Sequence, residues 1–242
     1  MRKSTMHKLN VILLCLCILP VLPSCLEEDD ETLVLPKGIK MIPIGDVIPE
    51  DILVQLKNQM TIHSGTTPPD IAGTYLVNPA ELVFSSDGNL DPGHIFVDVY
   101  FRLSNQNDKT NILTYEGKQM NSEKKVIDTA TSDEVSVVGS GDNFTAYFIE
   151  TGNAETVNNE NTDYRSATVI SGTKTTSGIK NCSYAFVMLE KDADPDNILI
   201  KVGTYRIIKD GNSLASNTAW TKTSKLNSKG ISILQSNTSV NR

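Results

Sequence analysis

Histidine is scarce in this 242-residue chain: there are three, and His7 lies in an N-terminal stretch that reads as removable. His63 and His94 are then the imidazoles left in the body, where a general base or metal ligand is most often a histidine. His63 follows a helical stretch in Thr61-Ile62-His63-Ser64-Gly65, and His94 opens a strand after Asp91-Pro92-Gly93; both positions suit surface or edge residues better than catalysis. No Gly-x-Ser-x-Gly elbow, Walker loop, dinucleotide fingerprint or His-Glu-x-x-His helix occurs, and the Gly-Ser-Gly at 139–141 is a turn. Of four cysteines, Cys15, Cys17 and Cys25 belong to the N-terminal region and only Cys182 to the body, so stability must come from packing rather than an internal disulfide. Basic charge is also short, 22 Lys and Arg against 29 Asp and Glu. The basic residues are scattered, which argues against a nucleic-acid partner.

The composition is otherwise that of a globular protein, 39% hydrophobic and 21% charged, and the length suits a single core. The N-terminus is built differently. Arg2, Lys3, His7 and Lys8 precede an almost wholly apolar run over residues 9–22, followed by Pro23-Ser24-Cys25. The run is shorter than the roughly 20 residues a helix needs to cross a bilayer, and Pro20 interrupts it, so it reads as a signal peptide. The junction Leu22-Pro23-Ser24-Cys25 resembles the lipobox of bacterial lipoproteins, which implies cleavage before Cys25 and acylation of its thiol. Losing Arg2, Lys3 and Lys8 would shift the formal charge from −7 to about −10. Residues 27–31, Glu-Glu-Asp-Asp-Glu, form a spacer that like-charge repulsion keeps extended. An acidic run behind the lipid cysteine also resembles the surface-export signal of Bacteroidetes lipoproteins. The expected address is an outer membrane, lipid-anchored, on its cell surface or its periplasmic face.

The expected organisation is a signal peptide over 1–24, a lipidated tether and linker over 25–48, and one β-rich domain over 49–242. Pro49-Glu50-Asp51 opens a short helix with Ile52, Leu53, Leu56 and Met60 on its apolar face, and 32–48 reads as a linker without helix or strand period. From Ile71 onward short alternating segments rich in Val, Ile, Thr, Tyr and Phe predict strands near 72–77, 81–86, 94–104, 111–118, 134–140, 143–150, 163–176, 181–190, 197–208 and 217–223. Over 95–103 the period places Ile95, Val97, Val99, Phe101 and Leu103 on the core face, and 184–190 with 198–207 reads as a hairpin across an Asp-rich loop. The fold class is all-β and mainly antiparallel, closed as a barrel or split into a two-layer sandwich, preceded by one short helix.

Thr67-Pro68-Pro69-Asp70-Ile71-Ala72-Gly73-Thr74-Tyr75 resembles the start of a calycin barrel as in lipocalins, with Tyr75 where tryptophan is usual. The same stretch, together with Tyr184-Ala185-Phe186-Val187-Met188, resembles a family of Bacteroidetes lipoproteins of unassigned function. The calycin likeness implies a barrel and, more weakly, a small apolar ligand.

Individual residues add little chemistry. Cys182 sits in an alternating strand, where a free thiol behaves as a small apolar side chain, and would be a nucleophile only with a histidine beside it. Asp192, Asp194 and Asp196 resemble the acidic start of a calcium loop, a weak metal candidate, but the central glycine and closing glutamate are missing and Pro195 interrupts the run. A solvated hairpin tip fits them better. Asp128-Thr129-Ala130 resembles the short O-glycosylation pattern of exported Bacteroidetes proteins, a weak signal that predicts Thr129 exposed on a loop within the polar run 119–133. Trp220 reads as core of a late strand rather than a carbohydrate shelf. A glycan-acting enzyme would need two facing carboxylates that sequence cannot pick out. The expectation is a non-enzymatic envelope lipoprotein without cofactor that binds or assembles. Its partners would be membrane lipid through Cys25 and a small apolar ligand, a glycan or an envelope protein.

Overall fold

Pro49 starts the main helix and charge secures its ends. In the computed structural model, which describes residues 43–123, 125–155, 161–194, 197–220 and 232–236, α1 (Ile44–Val47) is followed by α2 (Glu50–Gln59). Glu50 and Asp51 occupy the first turn of α2 and Lys57 the last, each opposite the helix-dipole charge it favours. Leu53, Leu56 and Met60 are buried as their spacing predicts, and Val47 and Ile48 join them, so the stretch 32–48 ends in a helical turn rather than in plain linker. All described residues fall within one compact unit, and among them no helix is long and apolar enough to cross a membrane.

The remainder is strand. β1 (Thr66–Thr67) is a short piece; β2 (Gly73–Val77), β3 (Ala80–Ser85), β4 (Ile95–Phe96), β5 (Val99–Asn107), β6 (Ile112–Met120) and β7 (Val126–Ser140) make up the first half. β8 (Asn143–Glu155), β9 (Asn161–Thr175), β10 (Gly178–Lys191), β11 (Tyr205–Asp210) and β12 (Leu214–Asn217) make up the second. From β5 to β10 each strand pairs antiparallel with the next, and β5 also pairs with β2. β10 gives its first half to β12 and its second to β11, and these return to β2 and β3. Taking β2–β3, β4–β5 and β11–β12 each as one interrupted course, eight courses follow in sequence order and the last hydrogen-bonds the first. Of the two all-β architectures left open by the sequence, this pairing is that of a closed antiparallel ring.

The ring has two cores. Its interior takes alternate side chains of every course, among them Phe101, Leu103, Phe144, Phe148, Ile170 and Phe186. A second cluster lies outside: α1 and α2 pack Val47, Ile48, Leu53, Leu56 and Met60 with Tyr147, Val169, Val187 and Ile207 of β8 to β11, where Ala167 and Ala185 keep the sheet face shallow.

Several expectations are corrected. The expected burial over 95–103 holds for Val97, Val99, Phe101 and Leu103, but the strand breaks at Val97-Asp98 and the phase shifts before it, leaving Ile95 43% exposed and Phe96 fully buried. The partner of β10 is 205–209 rather than 198–207; Ile198, Leu199 and Ile200 are buried because they cross the end of the ring, where Leu199 bridges Gln235. An apolar run signals burial, and this one is buried without being in the sheet. The stretch 126–133 is strand rather than loop, its inward side carrying Asp128 and Ala130, which hid the alternation. The last strand among the described residues is 214–217 rather than 217–223, and residues 221–223 lie outside the described residues.

Leu56 is wholly buried under α2, so Leu56→Ala is expected to lower unfolding free energy by about 2–4 kcal/mol in urea denaturation. Val54→Ala, on the exposed side of the same helix, is expected to change it by under about 0.5 kcal/mol.

Candidate functional site

The polar chemistry of the described residues gathers inside the ring. Phe144, Ala146, Phe148 and Glu150 follow one another on the inward side of β8, so the strand period itself carries a carboxylate into the core. Asp128 arrives the same way from β7. Glu150 Oε1 accepts hydrogen bonds from Ser166 Oγ at 2.6 Å and Thr168 Oγ1 at 3.0 Å, both from β9. Asp128 accepts from Tyr164 Oη at 2.9 Å and from Gln119 Nε2 at 2.5 Å. The hydroxyls of Tyr115 and Tyr184 meet at 2.9 Å. Two glycines make room for the rings: a Cβ on Gly117 would fall 2.2 Å from the Tyr115 hydroxyl, and one on Gly152 would fall 2.1 Å from the Tyr164 ring.

Burial is the largest influence on both acids. It pushes Glu150 up to about 7 and Asp128 up to about 6; the charge of Asp128 raises Glu150 further, while the hydrogen bonds to each pull the other way. No ion pair with a described residue reaches either carboxylate. Glu150 Oε2 has no hydrogen-bonding partner among the described residues; Tyr115, which favours the charged form of Glu150, shares a hydrogen bond with Tyr184 in which either hydroxyl can donate. The space they share, walled also by Val99, Ile233 and Leu234, is about 10 Å³.

One end of the ring is closed by residues 232–236. Arg206, wholly buried on the inward side of β11, donates from Nη1 to the Ile233 carbonyl at 2.6 Å and the Gln235 carbonyl at 2.9 Å, and from Nε to Ser85 Oγ at 3.1 Å. Its guanidinium lies over Phe96, 5.6 Å from the ring centre, and 3.8 Å from Asp87. Burial lowers Arg206 to about 10, which keeps it charged at neutral pH.

The residues singled out from the sequence do not converge. Cys25 and the acidic run lie outside the described residues. Cys182 is buried in the interior cluster, and burial pushes its thiol far up, away from the reactive thiolate. His63 bonds Thr145 through its backbone at one end of the ring; His94 packs against Phe96 at the other, the ring centres 4.8 Å apart. Asp194 caps its own loop, accepting from Lys191 Nζ at 2.7 Å and from the backbone of Ile198 and Leu199 at 2.8 and 3.0 Å. Asp192 is exposed and Asp196 lies outside the described residues. Among the described residues no three His, Cys, Asp or Glu side chains converge as a metal site would require. Thr129 is exposed, but on the outward side of β7, paired with Asn153 and Lys118, rather than on a loop. Trp220 lies just beyond β12, half-buried outside the ring, with Lys118 4.3 Å and Arg102 5.0 Å from its ring centre; it is neither interior core nor an open shelf. The pair Asp128 and Glu150 was missed as a site; its signal was an acid in phase with the aromatic residues of a strand.

Two measurements check the electrostatics. Cys182 should resist thiol reagents in the native protein and react on denaturation; fast native labelling would contradict its burial. Carboxyls with raised native values bind protons that the unfolded chain releases, so the stability these two contribute is full below about pH 4 and is lost as pH rises to about 7, by on the order of several kcal/mol. Glu150→Gln, a neutral isostere, should flatten that fall in urea denaturation at pH 5 and pH 8. No family model, curated protein or solved structure matches this chain, so the reading of the site stands on its own geometry.

Proposed function

We propose that this protein is a lipid-anchored module of the bacterial cell envelope that binds or assembles through its outer surface and carries out no reaction. The observation that carries this reading is how little space the described residues leave beside the inward polar groups. A pocket for a drug-sized apolar ligand needs a few hundred Å³. The space beside the inward polar groups is about 10 Å³, and aromatic and aliphatic side chains occupy the rest of the interior cluster. The interior thus weighs against the carrier expected from the calycin likeness, although eight sequential courses are the strand order of an up-and-down barrel.

The same burial weighs against a glycan hydrolase. Asp128 and Glu150 are two acids with raised values, as an acid–base pair would be, but they are 5% and 2% exposed and no sugar fits between them. What remains is an outside of strands and helix, with the N-terminal sequence supplying the anchor. A multiply acylated Cys25 would hold durably, since each buried methylene contributes about 0.8 kcal/mol.

Expressed in a lipoprotein-processing bacterium, the protein is expected in the membrane fraction, with a mature N-terminus at Cys25 bearing acyl mass. Cys25→Ala is expected to abolish that mass and release the chain from the pellet. A native protein beginning elsewhere without lipid would overturn the anchor. A rise of several degrees in melting temperature with a medium-chain fatty acid would restore the carrier reading.

A further inference from the structure

Ile233 and Leu234 wall the same small space as Asp128 and Glu150, so residues 232–236 are the roof of an acidic chamber. The roof is held by few bonds and from several elements. Arg206 reaches two of its carbonyls, Gln119 Oε1 accepts from Ile233 N at 3.0 Å, Ile200 N donates to the Leu234 carbonyl at 2.9 Å, and Ser236 N donates to the Ile198 carbonyl at 2.5 Å. Gln119 ties roof and chamber together, since its amide nitrogen bonds Asp128 while its oxygen holds Ile233. Under the roof, Glu150 Oε2 is buried without a partner among the described residues, in a space about the size of one water.

We propose that segment 232–236 is a reversible plug whose seating depends on protons held by Glu150 and Asp128. At pH 5 both carboxyls hold their protons and the chamber is neutral; near pH 6–7 one proton remains and the chamber carries a single negative charge. Above about pH 7 two carboxylates are enclosed with no cation among the described residues paired to either, which is costly in a dry interior. Hydration relieves that cost. Among the walls described, the roof is held by isolated bonds while the others belong to strand ladders, so water enters most readily by displacing Ile233 and Leu234.

The sign follows from burial. The closed chamber holds Glu150 at about 7 and Asp128 at about 6, and hydration returns both toward ordinary carboxylate values. The closed form therefore binds more protons between about pH 4 and 7; opening increases with pH across that window and levels off above it. Other groups facing the chamber do not reproduce this. Tyr115 from β6, Tyr164 from β9 and Tyr184 from β10 are all pushed well above their usual value and stay neutral, while Lys118 holds its ammonium over the outer Tyr100 and Trp220 rings. Arg206 from β11 stays charged. His94, lowered by burial and then by Arg206, also lies near the roof, as does Asp87, which, against the effect of burial, its hydrogen bonds and Arg206 hold below the usual carboxylate range and which stays charged across the window; a Glu150 variant separates their effects.

Hydrogen exchange of the full chain at pH 5 and pH 8, corrected for intrinsic rates, tests the plug. The Ile200 and Ile233 amides are expected to open at least about tenfold more at pH 8 than at pH 5. At pH 8 they are also expected to exchange faster than the Val169 and Ala185 amides of the β9–β10 ladder, which marks local opening. Glu150→Gln is expected to remove about half of the pH effect, leaving the part that Asp128 carries. Three results would each overturn the proposal: unchanged protection of the roof amides between the two pH values, roof amides no faster than the ladder at pH 8, or the full pH effect surviving in Glu150→Gln. Should that variant fail to fold, Asp128→Asn takes its place and is read by the same criterion.

Discussion

The return of β11 and β12 to β2 and β3 is the constraint on which the structure depends. Without it the first and last courses would each present an edge of unpaired backbone groups. With it, the amides and carbonyls of the courses are satisfied by neighbours, and the inward side chains of all eight are forced into one enclosed volume. Everything else adapts to that volume: Phe101, Phe144, Phe148 and Phe186 fill it, and glycines at 117 and 152 give way where tyrosine rings cross a strand.

Enclosure also explains the polar centre. Two carboxylates brought inside by strand period cannot reach water, so serine, threonine, tyrosine and glutamine side chains solvate them in its place. That solvation is incomplete at one oxygen of Glu150, next to the part of the wall that is not a strand. Arg206 meets the same problem in another way, spending its donors on backbone carbonyls of 232–236 and on Ser85 rather than on a buried acid. The interior thus holds acidic and basic groups that are kept apart, each solvated mainly by neutral polar groups around it.

Where burial follows a simple period the sequence was legible. Leu53, Leu56 and Met60 announced the helix face, and Val99, Phe101 and Leu103 announced the inward side of β5. Periods failed where the backbone slips. The break at Val97-Asp98 exchanged the roles of Ile95 and Phe96, and the shift in β7 between Thr131 and Ser136 accompanied a strand that read as loop. Ile198-Leu199-Ile200 misled in another way, since an end-closing segment and a buried strand share the same composition. The acid pair was hidden because charge is taken as a mark of the surface. Its phase with Phe144, Ala146 and Phe148 was visible, but the hydroxyls that make it tolerable come from strands distant in sequence.

Because the opening course bonds the final one, a chain that emerges from its amino end cannot complete its circle until residue 217 is free to reach residue 75. Until then it is an incomplete arc with two raw margins, prone to stick to whatever strand it meets. A molecule made this way finishes its shape late and all at once, which suits any passage that demands an unfolded thread.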